Sequence, residues 1–247
     1  MLRSEIDAYI QKHGRVITPP PELGLHEFYK KYYKSASGIH ICSSEKVKDD
    51  TFIVVASVAD VMLSKREDIR QALIEQKCRI GIMAADEITT DIPEHSRFPQ
   101  LNWARGLGGY KGNAFSTCGE ENIWREENDR YKREYILPHE FGHTIHLAGI
   151  QVGAPDLFEE IKDAYQEAVS KGLWQNTYAG SNEAEYFAEG VQFWFNVGNY
   201  TLDGKPNGVH NHVHNRKLLK EYDIRLYNIM ADVFPETLLP KPWDIDS

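Results

Sequence analysis

Cysteine is scarce in this chain of 247 residues, and the three it has, Cys42, Cys78 and Cys118, stand far apart. They allow at most one internal disulfide with a thiol left over, and none has metal-ligand spacing. A disulfide scaffold and a cysteine-ligated zinc module are therefore both excluded. No apolar stretch is long enough to cross a bilayer: the longest, Phe52 to Leu63, carries Asp60 and reads as core. Positive charge is also in deficit, with 28 Lys and Arg against 37 Asp and Glu for a net charge of -9. That sets nucleic acid and anionic membranes aside as main partners. The one local run of lysines, Lys30, Lys31 and Lys34 interleaved with tyrosines, reads as an amphipathic surface helix. The first residues, Met1 to Asp7, contain no apolar core of a signal peptide, which leaves either a cytosolic chain or one whose leader has been removed. The sequon Asn199-Tyr200-Thr201 adds little for secretion. A glycine-rich stretch, Gly106-Leu107-Gly108-Gly109-Tyr110-Lys111-Gly112, lacks the Lys-Ser/Thr pair of a phosphate-binding loop and does not open a helix after a strand. It reads as a flexible loop, a candidate cleft wall or lid.

With 41% hydrophobic residues the chain can bury a full core. A helix is expected over residues 1–13, a stiff surface connector at Thr18-Pro19-Pro20-Pro21, and a β-rich segment from Thr51 to Ser57. Ser64 to Lys77 has helical spacing, and Arg79 to Ala84 reads as a short buried strand. Pro155 to Lys171 is an amphipathic helix: Pro155 suits its first turn, Leu157, Phe158, Ile161, Ala164, Tyr165 and Ala168 form one stripe, and Gly172 ends it. A last helix is expected from about Arg216 to Phe234. The pattern describes one unit over 1–247, with an α/β lobe over about 1–135 and a helical lobe over 136–247.

The chemistry begins at Leu137-Pro138-His139-Glu140-Phe141-Gly142-His143. Residues four apart on a helix are surface neighbours, so His139 and His143 can hold one metal ion. Glu140 projects beside them, within reach of a metal-activated water without being a ligand itself. An exposed helix that happens to carry two histidines is the competing reading. Pro138 fits only the first turn of a helix, which places the helix start near Leu137.

A third ligand is supplied by the segment Tyr178 to Glu189. Ser181 or Asn182 can cap a helix there, and Ala184, Phe187, Ala188, Val191 and Phe195 recur at helical spacing. Glu185 and Glu189 are four apart, and two stacked carboxylates repel unless something cationic lies between them. Glu185 on the metal, with Glu189 accepting the second ring N–H of a ligating histidine, removes the conflict. A solvated acidic face is the alternative, but Tyr186, Phe187, Phe193, Trp194 and Phe195 make this helix too apolar for full exposure. Two His and one Glu leave the fourth tetrahedral position open, as in catalytic rather than structural zinc sites.

The pairing of HEFGH with a downstream Tyr178 and Asn182-Glu183-Ala184-Glu185-Tyr186-Phe187-Ala188-Glu189 resembles the catalytic domain of anthrax toxin lethal factor and, more loosely, the clostridial Pro-Pro endopeptidases. The resemblance covers roughly residues 135–197. It implies an α+β zincin-like fold, a small sheet supporting the active-site helix, and a mainly helical C-terminal lobe. It implies His139, His143 and Glu185 as ligands of one zinc per chain, Glu140 as base, Glu189 as the carboxylate behind a ligating histidine, and Tyr178 as the residue that stabilises the oxyanion. By residue type alone Tyr178 would pack. The resemblance also implies a peptide or protein substrate and a secreted or toxin-like setting.

His146 lies one turn beyond His143, about 5 Å further along the axis, which suits packing or a place behind the ligands better than ligation. His210, His212 and His214 alternate in a Gly- and Asn-rich loop; a second metal site and hydrogen-bonded surface histidines are both open readings. Three functions follow: a zinc endopeptidase, a binding module that keeps the fold without catalysis, and a non-peptidase zinc amidase. Presence of the base Glu140 favours the first.

Overall fold

Residues 1–243 are described in a computed structural model. The chain opens with α1 (Arg3–His13), which sends Ile6 into the core. Five short strands follow at intervals: β1 (Lys31–Lys34), β2 (His40–Ser43), β3 (Arg79–Met83), β4 (Gly106–Leu107) and β5 (Phe115–Gly119). They form one mixed sheet in the order β1-β2-β3-β5-β4, with β2, β3 and β5 parallel and the two outer pairs antiparallel.

Two expectations are corrected here. The lysine and tyrosine run is β1, not a helix: Tyr32 and Tyr33 are buried, Tyr32 lies opposite Cys42, and its backbone also bonds Ile17. Thr51 to Ser57 is helical, within α2 (Asp49–Met62), and not β-rich. Parallel β2 and β3 must be joined by a crossover, and a helix provides it with every backbone group satisfied. Because Thr51 to Ala59 are all buried, α2 shows no polar face and reads locally like a strand. The crossover continues through α3 (Glu67–Glu75) into β3, both close to their expected limits.

After β5 the chain turns into α4 (Glu120–Trp124) and then α5 (Ile136–Thr144), with Pro138 in the first turn. α5 runs on as a π-helical turn at Ile145–Ile150 and ends in α6 (Gln151–Gly153). α7 (Pro155–Ser170) is the expected amphipathic helix, and α8 (Glu183–Trp194) starts at Asn182, whose side chain accepts from the backbone N–H of Ala184 and Glu185. The expected last helix is two, α9 (Arg216–Tyr222) and α10 (Ile224–Val233). Asp223 breaks it: its carboxylate caps α10 by accepting from Leu226 N and also accepts from Trp174 Nε1 at 2.9 Å and the Tyr186 hydroxyl at 2.8 Å. Those bonds outweigh one more helical residue.

The glycine stretch departs from the expected loop at its start. It is not loose: Gly106 and Leu107 form the edge strand β4, and Gly109 N donates to the Thr144 hydroxyl at 2.7 Å. The buried Arg105 anchors its start, donating to Glu121 at 2.5 and 2.8 Å and to Ala84 O at 3.0 Å. Glycine here serves close approach of backbone to helix rather than mobility. One buried apolar cluster runs from Ile6 to Leu239. Cys42, Cys78 and Cys118 are free and buried.

Candidate metal centre

α5 lies on β5, held by hydroxyls: Ser116 Oγ and Thr144 Oγ1 share a bond of 2.5 Å, and both approach the Glu140 carbonyl at 3.4 Å. α8 packs across the other side of α5, with Val191 against Gly142. This crossing brings Glu185 to the two histidines. His139 Nε2 and His143 Nε2 are 3.1 Å apart, and Glu185 Oε2 lies 3.1 Å from the first and 3.2 Å from the second. Three donor atoms thus form a nearly equilateral triangle. A tetrahedral ion with ligands at about 2.0–2.1 Å sets its ligand atoms about 3.3 Å apart, so the residues fit such an ion.

The surrounding charge agrees. Glu185 Oε2 is buried, with the two imidazole nitrogens as its contacts. Burial would raise the Glu185 carboxyl, but the imidazoles of His139 and His143 hold it well below the carboxylate range. Burial opposes a charge on His139, yet Glu185, Glu140 and Glu189 outweigh it and lift its pKa to about 10. A place where carboxylates outweigh desolvation in this way is one that favours a cation. Burial raises the Glu140 carboxyl, against the pull of His139 and His143. Its stem lies against Gly106, where a β-carbon would come within 2.7 Å of Glu140 Cγ.

Tyr178 opens a short turn, Tyr178–Gly180, ahead of α8, and its ring stacks on His139 at 6.2 Å between centroids. It is 42% exposed, so it is not a core residue. Burial of the hydroxyl and the negative charge of Glu185 push its pKa up. Its backbone N–H donates to Val209 O at 2.8 Å, tying the turn to the histidine loop.

Glu189 is buried, and its carboxyl is pushed up to about 8 by burial. Its Oε1 stands 3.6 Å from His139 Nδ1 and has no hydrogen-bond partner among the described residues. The nearer acceptor is Gln192 Oε1, at 3.2 Å. Sequence reasoning missed Gln192 and also Glu134, which receives Gln192 Nε2. A signal existed: Glu185, Glu189 and Gln192 occupy one face at i, i+4 and i+7 of an otherwise apolar helix.

His146 is fully buried, stacked on Phe187 at 4.8 Å, with neither ring nitrogen partnered. It packs, as its position on the helix implies. The alternating histidines do not converge. His210 turns inward, 3.9 Å from Glu134 Oε2, His214 stacks on Tyr200 at 4.1 Å, and His212 lies beside Tyr222. Among the described residues the one group able to hold a metal ion is His139, His143 and Glu185. A cavity of about 1360 Å³ lies elsewhere, lined in part by Arg125, Lys132, Arg133 and Lys220, and volume without converging chemistry does not mark the site.

No protein-family model matches this chain, and no curated protein matches its sequence. Among solved structures, a Pro-Pro endopeptidase from Paenibacillus alvei is similar with a TM-score of 0.50 and 14% identity, covering 79% of this chain and 97% of that one. A likeness at that identity is one of fold. The chain is an α+β protein with a small mixed sheet, similar in fold to an endopeptidase, and it carries a possible metal-binding cluster of two histidines and a glutamate.

Proposed function

We propose that this protein is a zinc-dependent endopeptidase, with one zinc per chain held by His139, His143 and Glu185 and with Glu140 as general base. The observation that carries the reading is the triangle of Nε2, Nε2 and Oε2 atoms at 3.1 to 3.2 Å with a carboxylate on the next residue of the same helix. Two imidazoles and one carboxylate are the donor set of hydrolytic zinc sites, and they leave a position open. When bound, the ion supplies a Lewis acid and lowers the pKa of water to about 7.

The chain's own groups then have defined tasks. Glu140 accepts the proton of the attacking water and passes it to the leaving amine; its burial brings its basicity closer to neutral pH, where a general base works best. Tyr178 keeps its proton at neutral pH and donates it in a hydrogen bond to the oxyanion of the tetrahedral intermediate. β4 is an edge strand beside Glu140, and its free side suits an extended peptide. The resemblance in motif and the similarity in fold both support a peptide substrate. On this reading residues 1–247 form one catalytic domain.

The test is elemental analysis together with digestion of a mixed peptide library read by mass spectrometry. One zinc per chain and cleavage that a chelator stops and zinc restores are the expected results. Stoichiometric zinc without cleavage of any peptide would favour the binding module or the amidase.

A further inference from the structure

Metal-ligating histidines need their second ring nitrogen held by an acceptor, which sets both tautomer and ring angle. For His139 two side chains compete for that place. Glu189 Oε1, at 3.6 Å from Nδ1, is beyond hydrogen-bond range, whereas Gln192 Oε1 is at 3.2 Å.

The far end of Gln192 fixes which way its amide points. Nε2 donates to Tyr135 O at 3.0 Å and to Glu134 Oε1 at 3.3 Å. A backbone carbonyl has no proton to give, so the amide nitrogen must face it and the amide oxygen must face His139. A flipped amide would set oxygen against oxygen at one end and N–H against the ring at the other. With Oε1 toward the ring, Nδ1 has to carry a proton, and Nε2, facing Glu185 and His143, is the nitrogen left for a ligand. Gln192 is fully buried, so no water competes for these bonds. Tyr135 is held in turn, its N–H donating to Val197 O at 3.0 Å, and Glu134 is buried beside it.

We infer that Gln192, clamped by Glu134 and the Tyr135 carbonyl, is the residue that positions His139 for metal, in the place where the motif resemblance puts Glu189. The inference rests on the reading of His139, His143 and Glu185 as a metal site. Gln192 touches neither ion nor substrate; it is a positioning residue. Glu189 instead stands behind the ring without taking its proton.

The experiment loads the intact protein with zinc and measures affinity by chelator competition, together with the NMR signal of the His139 Nδ1–H. Gln192→Met has similar length and no acceptor oxygen. It is expected to weaken zinc binding by about ten- to a hundredfold and to expose the Nδ1–H to exchange. Glu189→Gln is expected to leave that proton protected. Loss of the protected signal in Glu189→Gln, with wild-type affinity and signal in Gln192→Met, overturns the inference and assigns the bond to Glu189. Should Gln192→Met not fold, the unmodified zinc-loaded protein decides. A proton strongly deshielded, as in an imidazole donating to a carboxylate, refutes the amide acceptor, and a moderate shift supports it. If the unmodified protein takes up no zinc, the metal-site reading falls and the inference with it; zinc binding indifferent to Gln192→Met removes the inference alone.

Discussion

Gly108 lies so close to His143 that a β-carbon on it would sit 2.3 Å from the histidine's own Cβ. The same atom would come within 3.1 Å of the Glu140 carbonyl, so the segment just after β4 runs directly against the backbone of the metal helix. Close packing of this kind cannot absorb a methyl group without moving one partner. Gly108→Ala is therefore expected to displace His143 or the edge strand, destabilising the fold by about 1–3 kcal/mol and weakening zinc binding. Thermal melts and chelator competition on the same sample check it; unchanged zinc affinity would show that the strand yields and the helix does not.

Zinc content depends on Glu185. Removal of its carboxylate leaves two histidines and a weak site. Glu185→Ala is expected to lose most of its zinc on dialysis, measured by elemental analysis. Stoichiometric metal in this variant would show that another group supplies the third donor.

Glu140→Gln keeps the shape and removes the base. It should retain zinc and fold yet lose at least about two to three orders of magnitude in peptide hydrolysis. The comparison needs zinc stoichiometry and initial rates from one preparation. Wild-type turnover would rule out Glu140 as the base.

Tyr178→Phe retains the ring that stacks on His139 and removes the donor. A contact made only with the oxyanion acts on the barrier and not on substrate binding. The fall is expected in kcat, by about ten- to a thousandfold, with KM little changed. The reverse pattern would make Tyr178 a wall of the substrate groove.

His146 offers a test of pH dependence away from substrate. Burial pushes its pKa down to about 3, from an ordinary value near 6.5. The folded form holds it neutral, so as pH falls from about 6.5 towards 3 only the unfolded chain takes up this proton. Stability is then lost on acidification, with a slope approaching about 1.4 kcal/mol per pH unit. His146→Phe removes two unpartnered buried nitrogens and this proton uptake. It should retain zinc and grow in stability relative to the parent as pH falls through that window. Denaturant unfolding of both proteins at several pH values checks it; parallel pH profiles would show that His146 finds a partner in solution.

Much of the candidate site was legible because its geometry is local. His139 and His143 share a face through helical spacing alone, Pro138 set where α5 could begin, and residue type narrowed the cap of α8 to Ser181 or Asn182, of which Asn182 serves. Pro155 and the apolar stripe likewise marked α7. What needed the tertiary structure was every choice between groups that local rules treat alike. The β-branched run of α2 became helix because two parallel strands had to be joined, and the lysines and tyrosines of β1 became strand because β2 and Ile17 paired with them on either side. The glycines before α5 looked mobile in isolation and are pinned by Arg105 and Thr144. On α8, Glu189 and Gln192 stand on one helical face, and spacing gave no means to rank them. The ranking comes from how closely α8 crosses α5 and from the Tyr135 carbonyl, which turns the amide of Gln192 toward the ring of His139. Hydrogen-bond choice is a matter of a few tenths of an ångström between segments far apart in the chain, and only their packing sets that distance.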